Sequence, residues 1–136
     1  MIEVGVSTAT DITGFGLIGH LSEVLTASKC NAHLYSSSVP FFEDALRLAV
    51  AGIIPGGTWA NAKNFEQIVS WDKDVADIEK ILMNDAQTSG GLLIFVPAVK
   101  KDKLIESLQK EGVLAAYIGD LTDSKKNENV RIFVHK

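Results

Sequence analysis

The chain has 136 residues, a formal net charge of −4, 46% hydrophobic and 22% charged residues, which fits one domain with its own core and excludes a disordered segment. Its single cysteine, Cys30, excludes an intramolecular disulfide and a structural zinc site built on several thiolates. The acidic balance argues against a nucleic-acid partner, and no apolar run approaches the ~20 residues needed to span a bilayer, so neither nucleic acid nor membrane is expected and the expected location is the cytoplasm.

Met1 and Ile2 lead directly into Glu3-Val4-Gly5-Val6 and then into the densest glycine motif of the chain. A functional loop so near the first residue suggests that the chain was cut from something longer. Beyond Thr10-Asp11-Ile12-Thr13-Gly14-Phe15-Gly16, apolar residues at Leu17, Ile18, Leu21, Val24 and Leu25 mark one face of a helix running to about Ser28. Ala32 to Tyr35 reads as a short strand. Ser38 as N-cap, Pro40 near the first helical position and Gly52 as a stop bracket a second helix through Phe41, Phe42, Ala45, Leu46 and Ala49.

Residues 54–64 read as a turn-rich loop with two adjacent glycines. Val75, Ile78, Ile81 and Leu82 mark a third helix ending near Asn84. The run Leu92-Leu93-Ile94-Phe95-Val96, closed by Pro97, predicts a strand covered on both faces and central in its sheet. Leu104, Ile105 and Leu108 lie on a fourth helix stopped by Gly112. Val113 to Ile118 and Val130 to Val134 are expected to be strands, with residues 125–129 as a polar hairpin loop between them. The whole is one domain, residues 1–136, in which a small sheet packs against helices.

Three segments carry candidate chemistry. In the first, the free N–H groups of a helix start favour phosphate, glycines at 14 and 16 admit close approach of a ligand, and Asp11 beside them suits a hard cation such as Mg²⁺. Its plainer reading is Asp11 or Thr13 as an N-cap with tightly packed glycines. The second is Asp85-Ala86-Gln87-Thr88-Ser89-Gly90-Gly91, polar and small, directly before the apolar strand. Loops at strand ends are common ligand sites, and Gln87, Thr88 and Ser89 orient rather than attack; the alternative is a helix–strand turn with a local bond from Asp85. The third, Pro55-Gly56-Gly57-Thr58 with Asn61, reads chiefly as a turn. His20, among apolar neighbours, reads as a buried histidine, Cys30 as a half-buried inert thiol, and His33 and His135 have no evident partners. No catalytic residue is assigned. Lys100-Lys101-Asp102-Lys103 reads as a solvated helix start.

Residues 9–21 resemble the signature that opens the C-terminal domain of the selenophosphate synthetase (selenide, water dikinase) family, and the 55–61 and 85–93 segments resemble two further motifs of that family in the same order. The family usually has proline where this chain has Ala86. The resemblance implies an α+β domain like that of aminoimidazole ribonucleotide synthetase-related proteins, with a small mixed sheet packed against helices. It implies the C-terminal half of a two-domain enzyme whose N-terminal ATP-binding domain, with its reactive cysteine or selenocysteine, has no counterpart here. The implied reaction takes ATP, selenide and water to selenophosphate, AMP and phosphate, in a full-length homodimer. Asp11 is then a Mg²⁺ ligand, and Thr13, Gly14, Phe15 and Gly16 with Gln87, Thr88, Ser89, Gly90 and Gly91 bind the nucleotide phosphates. Other synthetases of the superfamily, acting in purine or thiamine synthesis or hydrogenase maturation, and a non-catalytic binding module, are the alternatives. The half-site is expected to be inactive alone, its two loops disordered or covered by dimerisation.

Overall fold

The computed structural model describes residues 1–124 and 131–136. In chain order the elements are β1 (Thr8–Asp11), α1 (Gly16–Ser28), β2 (Cys30–Tyr35), α2 (Glu43–Val50), α3 (Gly56–Phe65), β3 (Val69–Trp71), α4 (Asp77–Met83), β4 (Leu92–Phe95), α5 (Lys101–Lys110), β5 (Gly119–Asp123) and β6 (Ile132–His135). Two sheets result. One is a four-stranded mixed sheet of order β3-β6-β2-β5, with β6 parallel to both β2 and β3 and β5 antiparallel to β2. The other is an antiparallel ribbon of β1 and β4. The α+β expectation, a small mixed sheet against helices, holds.

Period-two alternation decides which face of the larger sheet is buried. Ala32 and Leu34 of β2 and Ile132 and Val134 of β6 point into the core, where they meet Ile18, Leu21 and Leu25 of α1 together with Met83 and Leu93. The predicted apolar stripe of α1 is the face that packs there, and the helix closes at Lys29 in the left-handed conformation, φ 55°. On the outer face His33, Tyr35, Phe133 and His135 stay half-buried.

Several expectations are corrected. Residues 54–64 are not an irregular loop: α3 starts one residue after Pro55, whose fixed φ suits a helix entry, and two glycines of poor propensity are carried by the tertiary bonds of Thr58 and Asn61 described below. The 92–96 run is not a central strand. It forms one side of the two-stranded ribbon, with Leu92 57% exposed, because an unbroken apolar run does not distinguish a doubly covered strand from a half-covered one. Val113 to Ile118 is not a strand; pairing begins at Gly119, where an added Cβ would collide with the carbonyl of His33, so only glycine admits the close approach of β5 to β2. The second helix begins at Glu43, after a 3₁₀ turn at Ser36–Ser38 and an extended stretch, so Ser38 is not its cap. β5 and β6 flank β2 on opposite sides and do not pair with each other; the loop expected at 125–129 lies outside the described residues. Among the described residues, no helix is long and apolar enough to cross a membrane.

Candidate functional site

The three glycine-bearing segments meet at one end of the ribbon. Ile12 N–H donates to Gly91 C=O (2.9 Å), Gly90 N–H to Ile12 C=O (3.1 Å) and Gln87 N–H to Thr13 C=O (3.2 Å), so the β1–α1 loop and the 85–91 loop run on as a laced pair beyond the last strand partners, Asp11 and Leu92. Gly90 has to be glycine: an added Cβ would meet the Ile12 carbonyl oxygen. Gly16, buried with φ +69°, would drive a Cβ to 2.8 Å from the Asn84 carbonyl carbon. These two glycines answer to the protein's own backbone. Gly14 and Gly91 instead have open space where a side chain would stand.

The third segment is the tie. Thr58, wholly buried, donates its hydroxyl to Asp85 Oδ1 (2.8 Å) and accepts from Ala86 N–H (3.2 Å). Asn61, 5% exposed and one turn further along α3, donates from Nδ2 to Gly14 C=O (2.9 Å) and to Asn84 C=O (3.0 Å). One helix face therefore holds both loops. Asp85 is engaged by Thr58 rather than by a local turn, and Ala86 packs its methyl where a Cβ on Gly57 would come within 3.0 Å. The i, i+3 spacing of Thr58 and Asn61 on a helix was the available sequence signal, hidden because the Pro-Gly-Gly run reads as a turn.

Neither Asp11 nor Thr13 caps α1; the residue before the helix is Phe15, and it makes no side-chain cap. Asp11 ends β1 with its carboxylate exposed and, among the described residues, without a hydrogen-bond or ion-pair partner. Gly14 and Phe15 are exposed too, and among the described residues their backbone N–H groups donate to nothing in the protein. Phe15 stands 53% exposed beside the His20 ring, centroids 5.7 Å apart. Thr88 and Ser89 are exposed and Gln87 is half-buried. The same loop thus carries an exposed carboxylate at Asp11 and unpaired amide donors at Gly14 and Phe15. That fits a magnesium-bearing phosphate, since magnesium takes one or two protein carboxylates and leaves the remaining positions to water and phosphate oxygens. Among the described residues, no three metal-ligating side chains cluster, around Asp11 or elsewhere.

His20 is not an idle buried ring. Its Nε2 lies 3.0 Å from the Thr13 hydroxyl and its Nδ1 3.2 Å from Glu23 Oε2. Cys30, His33 and His135 belong to the four-stranded sheet and not to these loops. Burial, with Asp123 nearby, pushes the Cys30 thiol up and keeps it protonated. His33 and His135 do have partners: His33 Nδ1 and His135 Nε2 are 2.9 Å apart, with the ring planes 5° from parallel. Lys100 donates to Gly5 C=O and Lys101 covers the Tyr117 ring at 4.4 Å, so the basic run is partly engaged by the protein.

Residues 1–131 match the family of AIR synthase related proteins, C-terminal domain. A selenide, water dikinase from Carboxydothermus hydrogenoformans is 45% identical over 125 residues, which is 92% of this chain and 36% of that protein. Proteins of the same name from Porphyromonas gingivalis and Myxococcus xanthus are 41% and 38% identical over 127 and 125 residues, again 92% of this chain and 36% of theirs. The chain thus spans about a third of the length of the curated relatives it matches.

Proposed function

The chain belongs to the AIR synthase related proteins through their C-terminal domain, and on that premise we propose that it is the C-terminal part of an ATP-dependent selenophosphate synthetase. That enzyme would convert ATP, selenide and water to selenophosphate, AMP and phosphate, in the cytoplasm and as a homodimer. An N-terminal ATP-binding domain would supply the remainder of the relatives' length. The names and the 38–45% identity of the relatives support the reading. The observation that carries it is the exposed Asp11 carboxylate in the same loop as the unpaired N–H groups of Gly14 and Phe15, a loop that Asn61 ties to the end of α4.

In this reading bound Mg²⁺ neutralises the charge of the nucleotide phosphates. Asp11 supplies one oxygen ligand to it. In the Thr13-Gly14-Phe15-Gly16 turn the N–H groups of Gly14 and Phe15 are the donors for phosphate oxygens, Gly16 N–H being bonded to Thr13 C=O, and Gly14 donates without a side chain in the way. Gln87, Thr88 and Ser89, with Gly91 in open space and Gly90 fixed against Ile12, orient the same group from the other loop. Thr58 and Asn61 touch no ligand; they keep the two loops at a fixed separation. Phosphoryl transfer depends on positioning and charge neutralisation together, and one half of a site supplies neither fully, so this chain alone turns nothing over.

Two measurements test this. In the full-length enzyme, Asp11→Asn should raise the Mg²⁺ concentration needed for AMP formation on the order of tenfold, with thermal stability unchanged; an unaltered metal dependence removes Asp11 from the site. Selenide-dependent AMP formation by the 136-residue chain alone would overturn the half-site.

A further inference from the structure

Around the first glycine loop, Glu23, His20 and Thr13 form a connected line of side chains that the metal and phosphate contacts leave unused. His20 is 9% exposed on α1, with Glu23 at 3.2 Å from Nδ1 and the Thr13 hydroxyl at 3.0 Å from Nε2. An ionised carboxylate only accepts, so Nδ1 is the nitrogen that carries a hydrogen. What Nε2 carries then decides the polarity of Thr13. With Nε2 bare, Thr13 donates its hydroxyl hydrogen to the ring and presents only lone pairs to anything in front of it. With Nε2 protonated, the ring donates, Thr13 accepts, and its own hydrogen is released to turn outward.

The surroundings leave the ring few alternatives. Phe15 lies tilted against it, centroids 5.7 Å apart, and a Cβ on the adjoining Gly19 would strike Phe65 of α3. Toward this loop α3 presents Asn61 and Phe65, which carry no charge; Asp85 beyond α4 is bonded to Thr58, and Asp11 ends β1. Glu23 is the charged side chain in contact with the ring.

We propose that His20, backed by Glu23, is a positioning residue that sets whether Thr13 gives or accepts a hydrogen bond, and that this loop therefore holds a tetrahedral oxyanion most tightly when the ring carries both protons. The inference rests on the reading that residues 13–16 receive phosphate oxygens. An oxyanion offers only lone pairs, so it faces a repelling oxygen at Thr13 in one state and a donor in the other. Linkage is reciprocal: an anion in the loop draws a proton onto the ring by the same factor.

Sulfate is a suitable probe because it does not titrate near neutrality. Its affinity for the 136-residue chain can be followed through the Gly14 and Gly16 amide resonances from about pH 5 to 8, the range in which histidine changes charge. Affinity should fall roughly tenfold toward the alkaline end in the wild type and in Thr13→Ser, the gain expected of one hydrogen bond to a charged group. In Thr13→Val most of that fall should vanish, leaving only the weaker attraction of a charged ring. His20→Gln should flatten the profile; should it fail to fold, the Val and Ser variants decide the matter. An equal fall in Thr13→Val and wild type, or a flat wild-type profile with sulfate bound, overturns the inference and leaves the phosphate loop standing. Sulfate that shifts neither amide at any pH overturns both.

Discussion

Replacing Asn61 by alanine removes a side chain that bonds both to the β1–α1 loop and to the end of α4, from which the 85–91 loop departs. The structure sets the magnitude. Two bonds from a single buried amide, each worth about 1 kcal/mol net, are lost together, and the Asn84 carbonyl stays buried without its donor, a further ~1 kcal/mol at least. The expected destabilisation is about 3 kcal/mol, roughly 10 °C in Tm for a chain of this size. Asn61→Asp keeps the shape but turns the donor into acceptors facing two carbonyls, and should lose at least as much. Urea unfolding measures the loss. Amide exchange locates it: the Gln87 and Gly90 hydrogens, bonded to the Thr13 and Ile12 carbonyls, should exchange faster in the variant by more than the global change requires. A loss below about 1 kcal/mol with unchanged exchange at those two amides would refute the clamp, because the loops would then be held by their own lacing.

Gly16→Ala should cost about 2–3 kcal/mol, since it forces a side chain onto φ +69° and against the Asn84 backbone, whereas Gly14→Ala, in open space, should stay within about 0.5 kcal/mol in the same unfolding assay. Both tyrosines of the chain, Tyr35 and Tyr117, hydrogen-bond to Asp120, which raises both phenols, Tyr117 to about 12. A raised phenol stabilises the fold below its ordinary value of 10.0 and loses that contribution as pH climbs through the folded value. Tyrosinate absorbance should therefore develop late, between pH 10 and about 12, and Asp120→Asn should move it to lower pH; an unmoved titration breaks the link. Glu79 is held below the usual carboxylate range chiefly by Lys136, at 2.7 and 2.8 Å, and also accepts from Ala76 N–H at the start of α4. Its contribution is present above its ordinary value of 4.5 and is lost as pH falls below it, so Glu79→Gln should flatten the acid limb of a stability–pH curve, and an identical limb would count against the pairing.

The stripe of α1 was legible in the chain because a 3.6-residue period is a local property: Leu17, Ile18, Leu21 and Leu25 point the same way whatever lies opposite. The end of α4 near Asn84 and the β6 alternation of Ile132 and Val134 were readable for the same reason. Thr8–Asp11 and Val69–Trp71 gave no such signal, being strands of only four and three residues defined by their partners. The tie made by Thr58 and Asn61 was hidden by its own glycines, and the Thr13–His20 contact spans seven residues across a turn whose path the sequence leaves open.

Local chemistry alone specified which residue types stand in each loop: a carboxylate at 11, glycines at 14, 16, 90 and 91, and hydroxyls at 13, 88 and 89. Only the folded chain decided which of those glycines face open space and which answer to the backbone, because that depends on what stands within 4 Å of an absent Cβ. It also decided that three segments up to about eighty residues apart meet in one place. Spacing along a polymer carries no record of such proximity, which arises when one buried amide on α3 satisfies a carbonyl of the β1–α1 loop and one at the end of α4.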